Sequence, residues 1–574
     1  MPSSGTFAWL PGLWVLRHYR RAWLGKDIAA GLVLTALLVP AGMGYAVASG
    51  LPAVAGLYAT VGPLLAYALL GPSRIMVLGP DSALAPLIGV AVLAKSSGDP
   101  ARALALASAL AVLTGLLSVV AGLAKAGFIT ELLSRPVRVG YMNGIAVTIL
   151  VTQLPKLLGF SVSAHDVTGA AAGLVRGLAA GKTEPAALAI GCGCLVILFL
   201  GRIFAPQVPA MLAAVVAATV AVAVFRLGDR VMVVGSVPRG LPVPALPSVN
   251  LGDALDLLVA ALGIALVSFA DTSVLSRTFA GRHGYRVDAN RELVALGVAN
   301  VVAGLLRGFP VSSSATRTPV AESAGARTQL TGVVGAVAII VLLVAAPWLI
   351  EDVPTAALAA VVIGAALRIT DFAALAVFWR VRRADFALSL VTFIAVAALG
   401  VLRGIALAIA VALLDFVRRA WRPHDAVLGR AAGVKGYHDV ARYPAARQVP
   451  GLVLFRWDAP LFFANADTFR RRIIDIVDHT TPPVKWVVVA AEPITDVDST
   501  AAEMLDELDK ELATRGAELA FAEMKDPVKD RLERYGLQRR LGRGFFFPTL
   551  GVAVKAFLER FGVEWVDWED STRS

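Results

Sequence analysis

Leu78-Gly79-Pro80-Asp81-Ser82-Ala83 and Phe309-Pro310-Val311-Ser312-Ser313-Ser314-Ala315-Thr316-Arg317 are two polar, proline-marked breaks in an otherwise apolar chain. Hydrocarbon penalises every unpaired backbone group by several kcal/mol, so a broken helix at membrane depth survives only where it lines a protein-enclosed cavity. Two such breaks far apart in the chain are the sequence mark of a transporter's central site, where helix starts face one another. In this reading Pro80 opens the helix after the first break, with Asp81 or Ser82 as its cap. The amides of Ser82 and Ala83 then present the positive end of a helix dipole to the interior, and Thr316 and Arg317 hold the same position at the second break. Arg317 adds a full positive charge where charge is costly, so the pair of breaks asks for an anion. Asp81 fits a cap better than a binding residue, because a carboxylate repels an anion.

The surroundings of the breaks agree. The chain has 574 residues, 57% of them hydrophobic and 17% charged, with a mean hydropathy of +0.72. Runs such as Ala103 to Leu123 and Leu330 to Ile350 carry no charge and exceed the roughly 20 residues that cross a bilayer. About fourteen apolar spans are expected between residues 27 and 422, with the breaks in the third and tenth; two halves of about seven spans then form an inverted repeat. Arg226 to Pro247, richer in proline, is expected as the external loop between the halves.

A net charge of +11 does not imply nucleic acid here, because the basic clusters lie between apolar spans. Arg17 to Lys26, Arg282 to Arg291, Arg380 to Arg383 and Arg418 to Arg422 all become cytoplasmic if the span count is even and both termini face the cytoplasm, as expected for a multi-pass protein of the cell membrane. Residues 1–26 read as a short cytoplasmic segment with Trp9, Trp14 and Trp23 suited to the membrane interface, and no cleavage site follows that would make it a signal peptide. The two cysteines, Cys192 and Cys194, sit in an apolar run and read as packing residues, and the six histidines show no metal-ligand spacing. No metal, cofactor or enzymatic activity is expected: neither a P-loop nor a hydrolase or kinase signature is present.

Asp271, in Ser268-Phe269-Ala270-Asp271-Thr272-Ser273, stands alone in an apolar run. A carboxylate at that depth is a candidate carrier of a coupling proton, or one oxygen ligand for Na⁺. Leu275, one turn on, offers no second ligand, which favours the proton. Pairing with Arg277 for structure alone is the alternative. Val39-Pro40-Ala41-Gly42-Met43-Gly44-Tyr45-Ala46 breaks the regularity of the first span, so that Tyr45 can reach the site.

After Arg422 charges become frequent and the hydrophobic period alternates. Leu452–Trp457, Trp486–Ala490 and Glu518–Ala522 read as strands, with helices over 468–478, 501–514 and 552–560. This predicts an α/β domain of roughly 120 residues, one domain's worth. The expected division is thus 1–26 N-terminal segment, 27–422 transmembrane domain, 423–445 linker and 446–574 cytoplasmic domain.

Several long motifs in order resemble the SulP anion permeases, solute carrier family 26. They are Val39 to Ala46, Gly50-Leu51-Pro52 with Gly56-Leu57-Tyr58, Leu133-Ser134-Arg135-Pro136-Val137, Gln153-Leu154-Pro155-Lys156-Leu157-Leu158-Gly159, Gly284 to Leu293 and Gly325-Ala326-Arg327-Thr328-Gln329-Leu330. The resemblance implies secondary transport of an inorganic or carboxylate anion by an elevator-like motion, in a homodimer within the lipid bilayer. It maps the substrate site onto Tyr45, Ser82, Ala83, Thr316 and Arg317, and H⁺ or Na⁺ coupling onto Asp271. One departure concerns Ala41, where many members carry a Gln whose amide contributes to the site. Sulfate, bicarbonate and C4-dicarboxylates stay open, as do an anion channel and an anion sensor.

The C-terminal part resembles a STAS domain through Arg456 to Ala466 and Asp496-Val497-Asp498-Ser499-Thr500-Ala501. That resemblance implies possible regulation at Ser499 and Thr500 and a cytoplasmic protein that binds the domain. Thr500-Ala501-Ala502-Glu503 also reads simply as a helix-capping box.

Overall fold

The computed structural model describes residues 10–127, 134–162, 167–204, 209–314, 316–537 and 545–565, so Trp9 lies outside the described residues. The chain divides into two compact units, Met1–Ala412 and Leu413–Ser574.

The first unit opens with α1 (Pro11–Arg17), α2 (Leu24–Ala48) and α3 (Ala53–Leu70), then the two-residue strand β1 (Leu78–Gly79) and α4 (Ala85–Ser96). It continues through α5 (Pro100–Leu123), α6 (Arg135–Leu157), α7 (Val167–Ala179), α8 (Pro185–Phe204), α9 (Ala210–Val224), α10 (Leu251–Arg282) and α11 (Ala289–Leu305). The second break holds β2 (Ser312–Ser313) and α12 (Arg317–Ser323). After it come α13 (Leu330–Ala345), α14 (Trp348–Glu351), α15 (Thr355–Ile369), α16 (Phe372–Val381), α17 (Arg383–Leu399) and α18 (Val401–Trp421), the last running on into the second unit.

Among the described residues six helical segments are long and apolar enough to cross a membrane, and five further apolar helices are shorter, at 10–17 residues. Their outward ridges are apolar, as lipid requires. On α9 Val216, Val220 and Val224 are exposed at helical spacing, and on α13 Val337, Val341 and Val344. Without a hydrophobic force between helices, close approach supplies the packing. Gly115 of α5 and Gly297 of α11 meet face to face: a Cβ on Gly115 would lie 2.5 Å from the Gly297 carbonyl oxygen, and one on Gly297 would lie 2.6 Å from that of Gly115.

Polar groups inside this unit are tied down. Asp27, fully buried in the first turn of α2, accepts hydrogen bonds from the Arg327 and Thr328 amides at 2.7 and 3.1 Å and from the Thr328 hydroxyl at 2.7 Å. It thereby holds the approach to α13. Cys194 is buried with its Sγ donating to the Ala214 carbonyl of α9 at 3.5 Å, a packing role.

The second unit carries a six-stranded sheet: β3 (Asp425–Arg430), β4 (Tyr437–Asp439), β5 (Leu452–Trp457), β6 (Trp486–Ala490), β7 (Glu518–Ala522) and β8 (Phe546–Phe547), in the order β4-β3-β5-β6-β7-β8. β5 to β8 are parallel, and β3 is antiparallel to both its neighbours. The connecting helices are α19 (Ala466–His479), α20 (Ser499–Thr514) and α21 (Asp526–Arg534), with α22 (Leu550–Phe561) at the end. In β6 the side chains alternate between two cores. Val487 and Val489 pack with Phe469, Leu505 and Leu532, and Trp486 and Val488 pack with Phe557. Helices therefore cover both faces, which is why the strand reads as an unbroken apolar run.

The expected linker 423–445 is corrected here, since it contains β3 and β4, two of the six strands. Their sequence hides this: β3 sits between an antiparallel edge strand and β5, and its charged ends, Asp425 and Arg430, mask a core of Ala426 and Leu428.

Candidate functional site

The two breaks meet. β1 pairs antiparallel with β2, Leu78 opposite Ser313 and Gly79 opposite Ser312, and the Ser314 amide adds a bond to the Val77 carbonyl at 3.3 Å. Around this bridge the broken backbone is satisfied by side chains, as burial demands. Asn300 of α11 accepts from the Val311 amide at 2.8 Å and donates to the Val311 carbonyl at 3.1 Å. The Thr318 hydroxyl accepts from the Val77 amide at 3.2 Å. From α10, the Thr272 hydroxyl accepts from the Ser313 amide at 3.4 Å and the Ser268 carbonyl from the Ser312 hydroxyl at 3.2 Å.

Details of both helix starts differ from the sequence reading. Pro80 does not open a helix; it ends β1, and α4 begins at Ala85 with Pro86 in its first turn. Residues 82–84 form a turn, in which the Asp81 carbonyl accepts from the Leu84 and Ala85 amides at 3.2 Å. Asp81 does cap this turn, as its Oδ1 accepts from the Ala83 amide at 3.0 Å. The Ala83 N–H is thus held by Asp81 rather than left free. At the second break Ser314 is the capping residue, its Oγ accepting from the Arg317 amide at 3.3 Å and the Thr316 amide at 3.4 Å.

Arg317 projects into the space between the starts. It is 2% exposed, and its Nε, Nη1 and Nη2 have no hydrogen-bond partner among the described residues. Asp81 Oδ2 stands 4.0 Å from Nη2, an ion pair beyond hydrogen-bond reach. The guanidinium passes so close to Gly79 that a Cβ there would lie 3.1 Å from Nη1. Tyr45, 4% exposed, lies beside Ser82 and within electrostatic reach of Asp81 and Arg317. The structure therefore brings Tyr45, Ser82, Ala83, Thr316 and Arg317 around one point.

Asp271 lies next to Thr272 on α10, against the same bridge, and accepts a hydrogen bond from the Tyr141 hydroxyl of α6 at 2.9 Å. Asp81 and Arg138 are its charged neighbours. Arg277, the alternative partner from sequence, donates to the Ser273 carbonyl at 3.2 Å and hydroxyl at 2.6 Å. Sequence reading missed Asn300, Ser314, Thr272 and Tyr141. Asn300 had a signal, a lone amide in the apolar run Val298 to Val302.

In the second unit Ser499 and Thr500 are exposed at the start of α20. The capping residue is Asp498, not Thr500. Its carboxylate accepts from the Ala501 amide and the Phe463 amide, both at 2.8 Å.

Comparison with known proteins agrees with this architecture. Residues 24–392 match the sulfate permease family and residues 443–553 the STAS domain. A probable sulfate transporter of Mycobacterium tuberculosis is 41% identical over 561 residues, covering 98% of this chain and all of that protein. Human solute carrier family 26 member 6 is 34% identical over 80% of this chain and 63% of its own length. Among solved structures, the murine Solute Carrier 26 family member A9 anion transporter in its inward-facing state superposes with a TM-score of 0.88 at 22% identity, covering 98% of this chain and 96% of that one. The chain belongs to the sulfate permease family, as a multi-pass membrane protein with a C-terminal STAS domain.

Proposed function

We propose that the chain is a secondary active transporter of small oxyanions, sulfate first among them, which holds the anion between the starts of α4 and α12 and couples its passage to a proton on Asp271. The observation that carries this reading is the buried Arg317 guanidinium with three donor nitrogens and no hydrogen-bond partner among the described residues. A cation in such a place costs several kcal/mol unless something pairs with it, and an oxyanion supplies both charge and acceptors. The hydroxyls of Tyr45, Ser82 and Thr316 complete the set, with the dipole of α4 behind them. Sulfate is favoured by the printed description of the relative that is 41% identical.

Charge bookkeeping gives the coupling. Asp81, Asp271, Arg138 and Arg317 bring two negative and two positive charges to the same neighbourhood. That sum is zero and leaves no excess charge to hold an anion. Protonating Asp271 leaves one positive charge in excess, so anion and proton bind best together. The Tyr141 hydroxyl can reorient to accept from protonated Asp271 or donate to the carboxylate, steadying either state.

The wider reading is an inverted repeat of about fourteen spans moving in an elevator-like way, in a homodimer of the cell membrane with both termini cytoplasmic. Antiparallel pairing of β1 with β2, from corresponding positions of two halves, supports the repeat. Ser499 and Thr500 are the positions at which modification, or a protein bound to the STAS domain, would act.

Uptake of labelled sulfate into proteoliposomes tests this function. Saturable uptake driven by an inward proton gradient is expected. Binding without flux would make the protein a sensor, non-saturating current a channel, and drive by a sodium gradient alone would replace the proton.

A further inference from the structure

We infer that a small cavity beside α4 is a staging site for the transported oxyanion, built on Lys156 and Gln153 of α6; it rests on the transporter reading above. The cavity has a volume of about 110 Å³ and lies between α6, the length of α4 from Pro86 onward and the end of α2 at Ala48. Pro86 is one turn from Ala83, so the cavity adjoins the break site and extends from it along α4 toward the membrane face at which α2 ends.

Lys156 donates one hydrogen bond from Nζ to the Val47 carbonyl in the last turn of α2, at 2.5 Å. An ammonium has three donors, and among the described residues the other two find no acceptor and no carboxylate pairs with the charge. Capping a helix end accounts for one donor only. Gln153, one turn earlier on the same wall, is 1% exposed and its Oε1 has no partner among the described residues. Its NH₂ donates no hydrogen bond among the described residues and is the end of the amide left to face the cavity. Thr148 and Thr152 also line the cavity, but their hydroxyl protons go to their own helix, to Gly144 and Ile149. The donors facing the cavity are therefore a cation and an amide, in a space that suits one small oxyanion.

Such a site would gather the anion from the α2-end face and pass it one helical turn down to Arg317. It predicts an effect on apparent affinity from that face only. In oriented proteoliposomes, Lys156→Met should raise the sulfate KM from the α2-end face about tenfold, the size of a lost charge-assisted hydrogen bond, with the maximal rate kept. Lys156→Arg should stay near the parent value. Gln153→Leu, which leaves the Lys156–Val47 bond in place, should raise the KM about fivefold with an unchanged melting temperature. If Lys156→Met fails to fold, Gln153→Leu decides. An unchanged KM in the variants that fold, or an equal rise from both faces, overturns the staging site. Parent protein with no saturable uptake overturns the transporter reading instead, so the two failures are distinct.

Discussion

At Arg317 a buried cation, a glycine and a carboxylate are fitted to one another, and each can be tested singly. Gly79 lies under the guanidinium, and a methyl group there would come within 3.1 Å of Nη1. Gly79→Ala should push Arg317 aside and also strain the backbone, because φ at Gly79 is +156°. Titration and a melting curve should show sulfate binding about threefold to tenfold weaker, roughly one hydrogen bond, together with a lowered melting temperature. Asp271→Asn should abolish sulfate accumulation driven by a proton gradient while sulfate–sulfate exchange continues; accumulation at the parent level would remove Asp271 from coupling. Arg317 and Asp271 were both legible in the sequence, Asp271 as a lone charge in an apolar run and Arg317 as the charge at the end of a polar break in an apolar chain. Tyr141, Thr272 and Ser314 were not. Hydroxyls in membrane helices usually bond their own backbone, as Thr60 does to Gly56 at 2.7 Å, so sequence cannot pick out the ones that reach across.

Among the elements, the two breaks depend on neighbours for their backbone hydrogen bonds. Asn300 takes both polar groups of Val311 and also donates to the Leu296 carbonyl at 2.9 Å. Asn300→Leu would strand the Val311 amide and carbonyl, each costing about 1–3 kcal/mol. A clear fall in melting temperature in detergent is expected, and an unchanged value would show that the break is held otherwise. In the STAS domain Asp498→Ala removes the cap of α20 and the Phe463 tie together, and should cost about 1–2 kcal/mol in chemical denaturation. The helical and strand content was readable from period and length, down to β5, β6 and β7. The start of α4 was not, because Pro80 and Pro86 both suit a first turn and only tertiary pairing of Leu78 and Gly79 decides between them. Strands β3 and β4 escaped for a similar reason: short, charge-flanked strands at the edge and next to it gain their order from the sheet they join.

For the whole molecule, the membrane unit and the STAS domain fold as separate compact units, matched separately to the sulfate permease family and the STAS domain. The family was readable because its motifs run in order along most of the chain. What the fold adds is the meeting of residues far apart in the chain: Gly79 against Ser312, Asp81 against Arg317, and Tyr141 against Asp271. Those contacts turn two isolated breaks into one site with a defined charge balance. The central claim is that Arg317 pairs with the transported anion, and sulfate titration of purified Arg317→Ala beside the parent protein tests it most directly. The account predicts an affinity at least tenfold weaker in the variant, the loss of a charge-assisted hydrogen bond, with the melting temperature kept or raised, since an unpaired buried cation has been removed. Equal sulfate affinity in the two proteins would contradict it.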